Sequence, residues 1–197
     1  RSPPQMTIGE AKKSNINKNN ESCVFITLEE SKDKLIEDLK ELNIDFSQLE
    51  KKNKLRIIGG PIGHVKYFKE KTKATIYDIA DEVKEVILEI GAKRVVIDSI
   101  SAIGLYMRDP PEIRRMILQI SNVLRKNNCT AVLTCDILAG KESLSRFGVE
   151  EFVVDGLVLL HNFLDKDEYK RSINIWKMPS TNHSRKIHPY SITKEGF

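Results

Sequence analysis

The chain has 197 residues, a net charge of +4, 40% hydrophobic and 30% charged residues, and three cysteines. That length suits one domain, whose core can bury roughly 70% of the surface the unfolded chain exposes, so no metal or disulfide staple is required. No apolar run reaches the length of a membrane span, no signal-peptide pattern opens the sequence, and Cys23, Cys129 and Cys135 have no close pairing, so a cytoplasmic protein with free thiols is expected.

Residues 1–22 are polar, rich in Asn and Lys, and lack an apolar period. They read as an arm before a single domain over 23–197, with a short helical piece near Met6 to Lys13. Cys23 to Leu28 is a continuous run of β-formers, hence a buried strand. Ser31 is placed to cap a helix over Lys32 to Leu42, where Leu35, Leu39 and Leu42 keep helical spacing. Leu55 to Ile58 is a second strand, closed by Gly59-Gly60-Pro61. The basic stretch Ile62 to Lys73, carrying Tyr67 and Phe68, reads as a loop or lid.

A helix over Thr75 to Ile90 puts Ile76, Ile79, Ala80, Val83, Ile87 and Ile90 on one face, and Gly91 ends it. Arg94 to Asp98 is a third buried strand ending in a carboxylate. Pro110-Pro111 opens a helix with Ile113, Met116, Ile117, Ile120 and Leu124 on its apolar side. Thr130 to Thr134 is a fourth strand. Asp155 to His161 and Tyr169 to Met178 are strands about the charged turn Asp165 to Glu168, and His188 to Thr193 suggests another. Strands alternating with helices, then strands alone, predict an α/β fold. Its core is a twisted, mainly parallel sheet with helices on both faces, and an antiparallel strand extension follows.

In such a sheet, ligands sit beyond the carboxyl ends of the strands. Three groups fall there: Glu29 and Glu30, Asp98 and Ser99, and Thr134 to Asp136. Asp98 closes an apolar strand as a Walker-B aspartate does, which would let it hold magnesium on nucleotide phosphates. A plain strand-end cap explains that pattern equally well. Glu29 and Glu30 repel each other, so a water-activating base competes with simple charge complementarity at a helix start.

Four stretches together resemble the KaiC family of RecA-superfamily ATPases. They are Val24 to Glu30, Val95 to Ala102, Arg146 to Gly156, and Lys177 to His183 continuing through Lys186 to Tyr190. The resemblance covers about Cys23 to Phe197, in order. It implies a RecA-like fold, ATP and Mg2+ as ligands, and a ring-forming homo-oligomer such as a hexamer. It also implies that Glu29 and Glu30 activate the hydrolytic water, that Asp98, beside Ser99, serves Mg2+, and that Lys177, Thr181 and His183 reach the nucleotide of a neighbouring subunit.

Two departures qualify this. Pro179 stands where the family usually has Arg, which removes a charge-assisted donor. Residues 1–22 contain no G-x-x-x-x-G-K-[ST] loop, and Gly59-Gly60-Pro61-Ile62-Gly63 continues into His64-Val65 and reads as a turn. The expectation is therefore a KaiC-like nucleotide-binding domain with impaired hydrolysis. A pseudo-ATPase module for assembly or regulation is the first alternative. A DNA-binding recombination accessory, stacking bases on Tyr67 and Phe68, ranks below both.

Overall fold

The computed structural model describes residues 20–41, 45–60, 76–105, 107, 109–138 and 143–193. The expected helical piece at Met6 to Lys13, the stretch Ile62 to Lys73 and most of the polar arm lie outside these residues.

Four strands, β1 (Ser22–Thr27), β2 (Leu55–Gly59), β3 (Ala92–Asp98) and β4 (Thr130–Leu133), form a parallel sheet in the order β2-β1-β3-β4. Successive side chains of a strand point to opposite faces, and the core divides accordingly. Val24, Ile26, Val95 and Ile97 face α3 (Ile76–Ile90) and α4 (Pro110–Lys126), packing with Ile79, Val83, Ile87, Ile113, Met116, Ile117 and Ile120. Cys23, Phe25, Leu55, Ile57 and Val96 face the other way, toward Leu35 of α1 (Lys32–Glu41) and Phe46 before α2 (Ser47–Lys51). Helices on both faces are what β1 demands, since all six of its residues are buried.

Among the described residues the expected elements are present, but the strand expected to end at His161 runs on to Asp165, and the one expected over His188 to Thr193 spans only His188–Pro189. Ser31 Oγ accepts the Lys34 backbone N–H at 3.3 Å, as a cap should. The unforeseen α2 has too few residues for an apolar period. It is fixed instead by the Asp45 carboxylate, which accepts the Ser47 N–H at 2.8 Å. The end of β2 is a point of close approach, because a Cβ on Gly59 would lie 2.2 Å from the Lys32 backbone nitrogen.

The late strands β5 (Leu157–Asp165), β6 (Glu168–Lys177) and β7 (His188–Pro189) form an antiparallel sheet of their own, ordered β5-β6-β7. Among the described residues they hydrogen-bond to one another and not to β4, so the extension is a second sheet. Its hairpin turns at Lys166, which adopts a positive φ of 58°.

Candidate functional site

Parallel register brings the strand ends level. Thr27 is opposite both Gly59 and Asp98, and Ile97 is opposite Leu133. The residues just beyond these ends therefore share one edge of the sheet. There the Leu28 N–H donates to the Asp98 carbonyl at 2.8 Å, and the Thr134 N–H donates to the Ile97 carbonyl at 3.1 Å. Backbone pairing thus continues past the regular strands and holds the edge firmly.

Side chains complete the cluster. Ser99, buried in the core, donates its hydroxyl to Glu29 Oε1 at 2.8 Å, linking residues 70 positions apart. The Thr134 hydroxyl donates to Asp98 Oδ1. The Asp98–Ser99 peptide bond is cis. Glu30 returns its backbone N–H to Thr27 Oγ1 at 3.3 Å. Its carboxyl is pushed up by burial first, then by the negative field of Asp38, with Asp98 and Glu29 adding to it and Lys34 opposing. A carboxylate raised in this direction is a better proton acceptor near neutral pH.

The structure thus gathers Glu29, Glu30, Asp98 and Ser99 at one edge and adds Thr134, which sequence reasoning placed at a strand end without a role. The donor set suits a magnesium ion borne by phosphates, which needs only one or two protein carboxylates. Among the described residues no group of three or more His, Cys, Asp and Glu is arranged to hold a metal by itself.

Lys177, Thr181 and His183 lie elsewhere, at the end of β6 and in the turn beyond it. The Thr181 N–H donates to the Met178 carbonyl at 3.2 Å, and Ser180 takes a φ of 59°. Thr181 and His183 line an open groove of about 440 Å³ together with Trp176, Asn174 and Arg185. Lys177 is not in that lining; its ammonium donates to the Glu151 carbonyl. So the three residues are neighbours in sequence but serve two directions. Arg185 and Trp176 were missed in the sequence. Their only signal was one cationic and one large aromatic side chain flanking a turn, and that pattern is common on surfaces.

Comparison with known proteins bears on the family and the fold. The family model described as "ATPase: KaiC" matches residues 13–197. UPF0273 protein MJ1359 of Methanocaldococcus jannaschii is 34% identical over 184 residues, spanning 90% of this chain and 75% of that protein. The circadian clock oscillator protein KaiC of Parathermosynechococcus lividus is 28% identical over 180 residues, spanning 90% of this chain and 32% of its own length. The crystal structure of KaiC-like protein PH0186 from Pyrococcus horikoshii OT3 superposes with a TM-score of 0.77 at 31% identity, covering 93% of this chain and 78% of the other. No helix among the described residues is long and apolar enough to cross a membrane. With a family match over most of its length and a like-folded neighbour, the chain belongs to the KaiC family of ATPase domains.

Proposed function

We propose that this domain contributes two halves of an ATP site that is completed between copies in a homo-oligomeric ring. One half is the edge cluster. Asp98, held by Thr134, would carry Mg2+ on the nucleotide phosphates, and the Glu29-Glu30 pair would accept the proton of the attacking water. The other half is the Lys177, Thr181 and His183 segment, which would meet the nucleotide of a neighbour and place positive charge where the transition state gathers negative charge.

The observation that carries this reading is the hydrogen-bonded convergence of Glu29, Ser99, Asp98 and Thr134 at one sheet edge. A strand-end cap needs one polar group; here two carboxylates are each oriented by a hydroxyl from another strand end. Magnesium, when bound, neutralises phosphate charge. Ser99 orients Glu29, and partial burial with the neighbouring carboxylates raises the proton affinity of Glu30.

Residues 1–197 contain no Gly-Lys-Ser/Thr loop to supply the phosphate grip, and Pro179 offers no guanidinium. Hydrolysis by these residues alone is therefore expected at background level. Calorimetric titration of Mg·ATP into residues 1–197, and into a chain also bearing a Walker A loop, tests the reading. Binding only in the second supports it; binding in neither leaves a pseudo-ATPase module. Hydrolysis by residues 1–197 that vanishes in Glu29→Gln/Glu30→Gln protein would overturn the impaired-turnover reading. A strictly monomeric sedimentation profile with nucleotide would overturn the ring.

A further inference from the structure

Glu150 is a carboxylate with only 3% of its surface exposed, and the edge cluster does not use it. A buried carboxylate is costly unless its oxygens are satisfied. Here they are. Oε1 accepts the Cys135 thiol at 3.1 Å and the Phe147 N–H at 3.3 Å, and Oε2 accepts the Val149 N–H at 3.0 Å. Burial pushes its carboxyl up, but the hydrogen bonds it accepts outweigh this and leave it below the usual range.

The partners of Glu150 lead in two directions. Toward the edge cluster, Cys135 follows Thr134 at the exit of β4. The Ser101 hydroxyl donates to the Cys135 sulfur at 3.6 Å and accepts the Asp136 N–H at 2.9 Å. Ser101 in turn lies two residues after Ser99. Toward the second sheet, Glu150 opens the 3-10 turn Glu150–Phe152. The carbonyl of Glu151, the next residue, accepts the Lys177 ammonium, and the Glu151 carboxylate accepts the Ser145 hydroxyl.

We propose that Glu150 is a positioning residue that fixes Lys177 relative to the exit of β4. The half-site a copy builds for its own nucleotide and the half-site it offers a neighbour are then mechanically joined. The functional part rests on the ATP reading above; the coupling itself does not. The coupling has a physical basis in the satisfied buried carboxylate. It ties the β4 exit, the 145–153 segment and, through one backbone carbonyl, the end of β6, so displacing one displaces the others.

Per-residue labelling without nucleotide tests it. Cys135 and Cys129 are alkylated with iodoacetamide and Lys177 and Lys93 acetylated with an N-hydroxysuccinimide ester, and each rate is read by mass spectrometry. In Glu150→Gln protein, losing the charged acceptor is expected to raise Cys135 alkylation about threefold to tenfold. Acetylation of Lys177 is expected to rise severalfold with it, while Cys129 and Lys93 stay unchanged. An unchanged Lys177 rate overturns the proposal. So do rates that rise at all four positions, since those mean general loosening. If Glu150→Gln protein does not fold, Cys135→Ala protein is read instead: a faster Lys177 supports the coupling and an unchanged one overturns it. Coupling present in a protein that binds no Mg·ATP, even with a Walker A loop supplied, removes only the nucleotide reading.

Discussion

The two sheets of this domain are built on opposite terms. In the parallel sheet every residue of β1 is buried, and the largest side chains without solvent contact, such as Ile97, Ile113 and Met116, lie between strands and helices. In the antiparallel sheet the hydrophobic residues are largely uncovered, with Leu160 at 49%, Leu164 at 59% and Trp176 at 56% exposure. Val158, Leu160 and Leu164 pair across to Ile175, Ile173 and Tyr169 on one face. The first sheet is held by burial and the second chiefly by its ladder, with Leu159 among its few buried side chains. The residues expected to act on a molecule's own ligand grow from the rigid sheet, whereas those expected to meet a neighbour grow from the lightly covered one.

The largest effect should come from the rigid side. Met116→Ala empties a site with no solvent exposure and is expected to cost about 3–5 kcal/mol, whereas Leu160→Ala should cost under about 1 kcal/mol. Urea unfolding of both variants measures the contrast; equal losses would erase it. Gly59→Ala comes next. Its Cβ would meet the Lys32 backbone at 2.2 Å, so α1 must shift away from β2, at about 2–3 kcal/mol. Because α1 begins just after Glu30, that shift should also weaken any ligand binding at the edge cluster.

How much of this was legible in the sequence follows from the same contrast. Apolar runs such as Val24 to Thr27 and the helical spacing of Ile113, Met116, Ile117 and Ile120 reveal elements that are buried, because burial imposes a period. The α2 turn has no period, and the clue was the short Asp45-Phe46-Ser47 sequence, a carboxylate ahead of a backbone N–H. Glu29, Glu30, Asp98 and Ser99 could be placed at strand ends by topology alone. That Ser99 holds Glu29, and Thr134 holds Asp98, could not: those pairs join residues 70 and 36 positions apart, and only strand order and register decide them. Glu150 was readable only as part of a resembling stretch, since a carboxylate beside another carboxylate normally signals solvent. The separation of the late strands into their own sheet was hidden for a similar reason, because alternation marks a strand but does not name its neighbour.

A smaller effect sits where the two regions meet through Cys135. Burial first, with the Glu150 carboxylate adding to it, pushes this thiol up to about 11. A thiol raised on folding gives stability that is fully present below its unfolded pKa near 9 and is lost as pH rises through 11. Urea midpoints between pH 8 and 11 should fall in the wild type. The difference from Cys135→Ser protein, whose hydroxyl does not titrate there, should narrow or reverse at the alkaline end. Parallel pH profiles for the two proteins would show that Cys135 ionises as freely in the fold as outside it.

The smallest expected effect concerns the surface link between the sheets. Arg125, in the last turn of α4, donates to Asp155 Oδ1 at 2.8 Å and to the Val153 carbonyl at 3.4 Å, just before β5 begins. Asp155 is 84% exposed at its side chain, so water and salt screen the pair, and Asp155→Asn should cost no more than about 0.5 kcal/mol. Arg125→Ala should cost more, because it also removes the donor to the Val153 backbone carbonyl. If the second sheet is held by its own ladder and the Glu150 segment, neither variant should alter Lys177 acetylation, and raising the salt concentration should shrink the Asp155→Asn difference toward zero. A salt-resistant loss in Asp155→Asn protein, accompanied by faster Lys177 labelling, would instead make the exposed ion pair a true hinge pin and move the mechanical connection between the sheets from the buried carboxylate to the surface.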